Sequence, residues 1–212
     1  MRKEISQVSS SVNLTTLTEN DYQVSNWSGG KTKELYMRPQ TSKYLTNDFD
    51  YRVSSATVEQ DQTRFTSLPG YKRIILPLHG ELALEHTTQR VNLVPYQQHA
   101  FDGGEITNSY GRCTDFNLIY RRNFHGEIIP VRHQQTFEMD KGIDIVCYFL
   151  TDCTFKYSDP VESLQKELHA NETLIVNSVK QKSKLTISSD EKNSSEVLAL
   201  LVLIDKNRKT IT

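Results

Sequence analysis

The sequence predicts an all-β protein, and two observations support that fold class. Short runs rich in β-branched and aromatic residues recur along the 212-residue chain, with glycine, proline and polar turn signals between them. Amphipathic helical patterns are scarce, and no apolar stretch approaches the roughly 18 residues that a membrane-spanning helix needs. Short strands at this spacing are typical of a sandwich or a barrel.

The individual elements follow from local patterns. Strands are predicted at 32–37, 51–58, 73–78, 81–86, 91–94, 99–101, 115–120, 127–129, 143–151, 154–157, 173–176, 184–187 and 197–204. The His79-Gly80 turn signal predicts that 73–78 and 81–86 pair as a hairpin. Residues 160–169 predict one short helix, because apolar residues recur there at helical spacing behind a Ser-Asp-Pro start. We expect 1–11 to be loosely held and 188–195 to be an exposed loop.

Charge and cysteine content exclude several classes of protein. The 25 Lys and Arg residues against 26 Asp and Glu leave a net charge of -1, which argues against nucleic acid or an anionic membrane as the main partner. The cysteines Cys113, Cys147 and Cys153 cannot form a closed disulfide framework and fit a reducing compartment. No apolar segment of a signal peptide follows the basic start. We therefore expect a soluble, cytoplasmic protein.

One glycine-rich stretch has the letters of a phosphate-binding loop. Ser28-Gly29-Gly30-Lys31-Thr32 ends as such a loop does, but the full motif needs a glycine at position 25 and a helix afterwards. The chain has Ser25, and the residues after Thr32 alternate as a strand does. A glycine turn that lets the chain pass Trp27 is the better interpretation.

The sequence offers no motif for a metal or a catalytic nucleophile. The six histidines, of which His79 and His99 are two, show no spacing typical of metal ligands, although histidines from different strands could still converge. A nucleophile elbow is absent as well. We therefore assign no metal, no cofactor and no catalytic residue.

Polar side chains recur on one face of three predicted strands. The pairs are Asp115 and Asn117, Arg52 and Ser54, and Thr32 and Glu34, the last sharing its face with Tyr36. A solvated sheet face alternates in the same way, so one interpretation is an ordinary surface. The other is a pocket at the open end of a barrel, where arginine would bind a carboxylate and Asp or Asn would meet an N–H group.

The same residues carry a resemblance to a known family. The blocks WSGGKTKEL from 27, FDYRVSSATV from 49, FTSLPGYKR from 65, FDG from 101 and DFNL from 115 resemble the HutD/Ves family of cupin-fold proteins in order and spacing. The resemblance implies a double cupin, a single compact unit over 1–212 with a first half near 15–125 and a second at 126–212.

The resemblance also implies a function. Members look like regulators or sensors of a metabolite of histidine degradation, and urocanate, formiminoglutamate and N-formylglutamate are the ligands suggested. The family's pocket positions fall on Trp27, Thr32, Glu34, Arg52, Ser54, Arg73, Asp115 and Asn117. We therefore expect a non-catalytic binding protein for a small carboxylate, with a homodimer as one expected assembly.

Two other classes of function remain open. A cupin-type enzyme, metal-free or metal-dependent, could isomerise or hydrolyse a similar metabolite, with Asp115 or Glu34 as general base. An interaction module that recruits a partner protein through edge strands is the third alternative, and a large exposed apolar patch would be its first sign.

Overall fold

A computed structural model describes residues 12–190 and 196–206. The first eleven strands are β1 (Leu14–Leu17), β2 (Gln23–Trp27), β3 (Gly30–Arg38), β4 (Tyr51–Val58), β5 (Gln62–Arg64), β6 (Tyr71–His79), β7 (Leu82–Glu85), β8 (Arg90–Leu93), β9 (His99–Asp102), β10 (Asn108–Tyr110) and β11 (Cys113–Arg121). The others are β12 (His125–Val131), β13 (Gln135–Met139), β14 (Asp144–Phe149), β15 (Cys153–Ser158), β16 (Ser163–Leu168), β17 (Thr173–Val176), β18 (Ser183–Ser188) and β19 (Ala199–Asp205). A 3-10 turn at Tyr44–Thr46 is the one helical element within those ranges.

The strands form four antiparallel sheets that pack as two barrels. The first barrel joins a six-stranded sheet, in the order β2-β3-β4-β11-β6-β9, to a four-stranded sheet, β5-β10-β7-β8. The second joins a five-stranded sheet, β1-β17-β14-β19-β12, to a four-stranded sheet, β13-β18-β15-β16. This architecture confirms the predicted all-β double cupin.

The middle of the molecule contains an apolar strand that is buried on both faces. β19, with the sequence ALLVLID, lies between β14 and β12, and its near-continuous apolar run is what a strand covered on both faces requires. One apolar cluster joins the outer face of the six-stranded sheet, with Val53 and Leu118, to the five-stranded sheet, with Val146 and Val202. An apolar cluster therefore fills the contact between the two barrels.

A buried polar network also crosses between the barrels. The Asp144 carboxylate on β14 accepts hydrogen bonds from Arg38 Nη1 at 2.7 Å, from the Tyr51 hydroxyl at 3.1 Å and from the Ser178 backbone N–H at 2.6 Å. Burial, with the neighbouring Asp144 charge, raises the pKa of Tyr51 well above its ordinary value. The carboxylate is thus satisfied by donors from both barrels.

The amino-terminal strand belongs to the second barrel. β1 pairs with β17 from Leu14↔Val176 to Leu17↔Thr173, so it forms the edge of the five-stranded sheet. The first half predicted near 15–125 therefore includes residues 15–17, which pair with a strand of the second barrel.

Three local predictions are wrong. Residues 160–169 form a turn and β16 in place of a helix, because Leu164 and Leu168 lie four residues apart, a spacing that helices and strands share. β6 and β7 form no hairpin, since Gly80, at φ 77°, leads the chain from one sheet into the other. Tyr36 does not share the face of Glu34, because a register shift separates them.

Two predicted segments lie wholly or mostly outside the described residues, and five short strands have no counterpart in the prediction. The segment 1–11 and most of the loop at 188–195 fall outside the described residues. The short strands β1, β2, β5, β10 and β13 were not predicted. Across the described ranges, no helix is long and apolar enough to cross a membrane.

Candidate functional site

Strand pairing brings the predicted polar residues onto one face of the six-stranded sheet. Glu34 on β3 pairs with Ser54 on β4, and Ser54 pairs with Asn117 on β11, so these three residues form one row across the sheet. The next row on one side of it contains Arg52, Ile119 and Arg73. The next row on the other side contains Thr32, Ala56 and Asp115. Residues from β3, β4, β11 and β6 therefore form one polar layer.

This layer faces the interior of the first barrel. Ile75, which pairs with Asn117 and shares its face, packs with Leu82 and Leu84 of the opposite sheet. A second apolar cluster at the other side of the layer contains Met37 and Ile119. The interpretation of these rows as a solvated surface is therefore wrong.

Arg52 is already neutralised by a neighbouring carboxylate. Its Nε donates to Glu34 Oε2 at 2.7 Å, and its Nη1 donates to Ser54 Oγ at 3.2 Å. The ring of Tyr44, on the 3-10 turn, covers the guanidinium at 4.6 Å from ring centroid to Cζ. The predicted open end of the barrel is thus covered at this point.

Arg73 has no such partner. Its side chain is buried at 5% exposure, its Nε has no hydrogen-bond acceptor, and no described carboxylate lies within 4.0 Å of it. The guanidinium instead lies 4.4 Å from the ring centroid of Phe65 and 5.4 Å from that of Phe101. Burial lowers the pKa of Arg73 from its ordinary value. Among the described residues, this cation therefore lies against two aromatic rings with no carboxylate in direct contact, and the Asp115 charge acts on it from farther away.

Asp115 and Asn117 each leave a buried oxygen without a donor. Oδ1 of both side chains lacks a hydrogen-bond partner within the described part of the chain. Burial raises the pKa of the Asp115 carboxyl to about 7, although the Arg73 charge acts in the opposite direction. Buried polar groups are normally hydrogen-bonded, so these two oxygens are acceptors that the described residues leave unused.

Trp27 and Thr32 lie at the margin of the layer. Trp27 packs against the apolar cluster of Val58 and Leu82, and its buried Nε1 has no acceptor among the described residues. Thr32 is half-buried beside Ala56. A side-chain carbon on Gly29 would lie 2.0 Å from the Trp27 ring, which agrees with a glycine turn past the tryptophan. The turn leads into β3, so it lacks the helix of a phosphate-binding loop.

Two histidines converge in the same barrel, which sequence spacing did not show. His86 Nε2 and His99 Nε2 are 3.0 Å apart, and His86 Nδ1 is 3.1 Å from Thr107 Oγ1. Because the Thr107 hydroxyl donates to the Glu105 carbonyl, its oxygen accepts from His86 Nδ1–H. His86 Nε2 is then the acceptor and His99 Nε2–H the donor.

The residues around the layer that sequence reasoning missed are mostly aromatic. Tyr44, Phe65, Phe101 and His99 reach it from a turn, a loop and β9. Phe65 and Phe101 lie in the blocks that carry the family resemblance, and that was the only available signal. Their contact with Arg73 depends on the pairing of β6 with β9, at Arg73↔Phe101, which local patterns cannot reveal.

The described residues contain no cluster of metal ligands, and the interior of the second barrel is apolar. Within 12–190 and 196–206, no three side chains of His, Cys, Asp or Glu converge in a way that could hold a metal ion. The interior of the second barrel is filled by an apolar cluster that contains Cys147, Phe149, Phe155 and Leu185. The polar layer is therefore a feature of the first barrel.

Comparisons with known proteins agree with this fold. The sequence model of the family described as HutD matches residues 19–195. The chain is similar to the structure of HutD from Pseudomonas fluorescens SBW25, with 22% identity, a TM-score of 0.73 and coverage of 91% of this chain and 98% of that one. It is also similar to a conserved protein of unknown function from Pseudomonas aeruginosa PAO1, with 21% identity, a TM-score of 0.74 and coverage of 91% and 98%.

More distant structures share the fold alone. The formate complex of oxalate decarboxylase from Lactobacillus farciminis has 8% identity, a TM-score of 0.58 and coverage of 92% of this chain and 86% of that one. A search of curated protein sequences finds no significant match.

Proposed function

Because the chain belongs to the HutD family, a group of cupin proteins associated with histidine utilisation, we propose that it binds a small carboxylate metabolite and catalyses no reaction. The ligand occupies the first barrel and carries a carboxylate together with an N–H group. Urocanate, formiminoglutamate and N-formylglutamate have this chemistry. The protein senses or buffers such a metabolite in the cytoplasm, in a regulatory role.

A single observation carries this proposal: in the interior of the first barrel, Nε of one arginine and two side-chain oxygens have no hydrogen-bond partner among the described residues. The Arg73 guanidinium has donors for a carboxylate, and Oδ1 of Asp115 and of Asn117 can each accept from an N–H group. An unsatisfied buried polar group costs about 1–3 kcal/mol. A ligand that supplies the missing partners recovers much of that cost, and this gain favours its binding.

The charge balance of the layer indicates an anion. Arg52 is paired with Glu34, whereas Arg73 forms no ion pair within 4.0 Å among the described residues. Two aromatic rings hold its guanidinium in place, so little rotamer entropy remains to be lost when a ligand binds. A monoanion bound at Arg73 would leave the interior close to neutral when Asp115 is protonated.

Isothermal titration tests the proposal with the three metabolites and two matched variants. We expect at least one metabolite to bind the wild type, and Arg73→Met to lose that binding. Arg112→Gln is the control, because Arg112 pairs with Asp61 on the surface and both side chains are exposed. If none of the three binds, or if Arg73→Met binds as well as the wild type does, the proposal is wrong.

A cupin-type enzyme is the second candidate, and one observation favours it. The pKa of the Asp115 carboxyl, raised to about 7 by burial, is suited to a general base near neutral pH. Glu34 is less suited, since its Oε2 already accepts from Arg52. Incubation of each metabolite with the protein, followed by proton NMR, separates the two functions. Conversion by the wild type and none by Asp115→Asn would favour the enzyme.

A further inference from the structure

A cleft lies between the two barrels, outside the interior of the first barrel. Its volume is about 640 Å³, within the range of small-molecule sites. One wall is the outer face of the six-stranded sheet, and the other comes from the second barrel. The polar layer described above lies on the opposite, inner face of the same strands, so its side chains do not line the cleft.

The floor of the cleft is a row of polar side chains from four neighbouring strands. Lys31 on β3 pairs with Thr57 on β4, Thr57 with Thr114 on β11, and Thr114 with His79 on β6. Neighbouring strands lie about 4.8 Å apart, so the row spans roughly 14 Å. Lysine and histidine therefore stand at the two ends, and two hydroxyl groups stand between them.

These side chains are available to a ligand. No described carboxylate lies within 4.0 Å of Lys31 Nζ, whereas Lys33 is paired with Glu19 at 2.7 Å. The side chains of Thr57, Thr114 and His79 likewise have no hydrogen-bond partner among the described residues. Glu196 is the acidic residue in the lining. The floor therefore offers N–H and O–H donors that lack acceptors, which is the chemistry that holds an oxyanion.

The walls of the cleft add flat and apolar surface. Tyr96 and Tyr148 line it together with Leu78, Leu150 and Val197. The Tyr148 hydroxyl donates to Asn171 Oδ1 at 2.9 Å, which fixes its ring. Tyr96 has a φ of 65°, a left-handed conformation that is rare for a bulky residue, and its N–H donates to the Pro77 carbonyl at 2.8 Å. Such strained residues cluster at ligand clamps.

We propose that this cleft binds a small organic anion with a flat aromatic body. The anionic group lies on the row from Lys31 to His79, and the aromatic body lies against Tyr96 and Tyr148. A cation or a sugar without charge fits less well, because Lys31 forms no ion pair with a described residue and the walls are apolar. The inference does not depend on the proposed function, since none of these side chains faces the interior of the first barrel.

Binding of 1-naphthalenesulfonate, followed by two-dimensional amide NMR, tests the inference. The probe has one charge at every pH used and a flat apolar ring, and 1-naphthalenemethanol is its neutral counterpart. We expect the sulfonate to shift the amide signals of the cleft residues and to bind about tenfold more tightly than the alcohol. This ratio is the loss expected when charge-assisted hydrogen bonds are removed.

Three variants complete the test. Lys31→Gln/His79→Gln should bind the sulfonate about tenfold more weakly, whereas Lys156→Gln, at an exposed lysine of β15, should bind it as the wild type does. Arg73→Met should also bind it normally, which separates this site from the barrel interior. The inference is wrong if the sulfonate does not bind, if its signals map to the barrel, or if the double variant binds it normally.

Discussion

The guanidinium of Arg73 lies 4.4 Å from the ring centroid of Phe65, and no carboxylate of the described residues lies within 4.0 Å of it, although the charge of Asp115 acts on it from farther away. Contact with an aromatic face compensates only part of the cost of burying a cation, because a desolvated cation–ring contact supplies only about 2 kcal/mol. A bound anion can recover the remaining free-energy cost of burying the cation. Stability and binding should therefore respond in opposite directions when Arg73 is replaced.

Replacement of Arg73 by methionine tests this opposition. Methionine fills similar space between Phe65 and Phe101 without a charge, so we expect the free energy of unfolding to stay equal or to rise by about 1–2 kcal/mol. Urea denaturation measures it. Ligand binding should weaken by about tenfold or more. A variant that is clearly less stable than the wild type would show that Arg73 has a partner within the protein.

Asp115→Asn should change how stability depends on pH. The pKa of the folded carboxyl is about 7 and that of the unfolded one is near its ordinary value of 3.8, so the folded state keeps a proton that the unfolded state loses. The wild type therefore loses stability as pH rises from about 4 to about 7, by up to about 4 kcal/mol.

The asparagine variant carries no titrating group at this position. We expect its stability relative to the wild type to increase between pH 5 and pH 8, as measured by denaturation at several pH values. A pH-independent difference between the two proteins would contradict a raised pKa for Asp115.

The His86–His99 pair should give the opposite pH dependence. Burial, with the neighbouring His86 ring, lowers the pKa of His99 below its ordinary value of 6.5. The unfolded chain then binds more protons as pH falls through about 6.5, so the wild type loses stability between pH 7 and pH 5. His99→Phe should flatten this dependence and cost about 1 kcal/mol at pH 8, because His86 Nε2 loses its donor.

Two measurements check the histidine pair. Nitrogen-15 NMR should show a proton on Nδ1 of His86 and on Nε2 of His99, as the hydrogen bond to Thr107 requires. The exposed His79, replaced by glutamine, is the control and should leave the pH dependence unchanged. The opposite tautomers would contradict the hydrogen-bond assignment.

Asp144→Ala should destabilise the contact between the two barrels. The change removes an acceptor for Arg38, Tyr51 and the Ser178 N–H, and we expect a loss of about 3 kcal/mol in the free energy of unfolding. Arg38 is partly exposed, so its share is reduced by solvent screening. Asp61→Ala, which breaks the exposed pair with Arg112, is the control and should cost less than about 0.5 kcal/mol.

Much of the fold could be predicted because its long strands carry their own patterns. The apolar run of β19 and the alternation of β4 and β11 depend on local sequence alone. The alternation also placed Arg52 and Ser54 on one face, which the structure shows to be the inner face of the barrel. Short edge strands such as β5 and β10 have three residues each, too few to show a period.

The remaining features depend on contacts between distant segments. A turn signal such as Gly80 does not tell whether the next strand pairs or crosses into another sheet. The bulge near Leu35 moved Tyr36 to the other face, and one extra residue leaves no trace in the alternation. The same holds for the site, since Tyr44 and Phe101 contact arginines that only the tertiary fold brings near.

The pairing of β1 with β17 has a consequence for synthesis of the protein on the ribosome. Leu14 pairs with Val176, which follows it by 176 − 14 = 162 residues. At translation rates of 5–20 residues per second, about 8–32 seconds separate the appearance of these two partners. All ten strands of the first barrel emerge in that interval and can assemble, while β17, the strand that pairs with β1, has not yet been translated. The second barrel is therefore the last to close, although its edge strand β1 is translated before every other described strand.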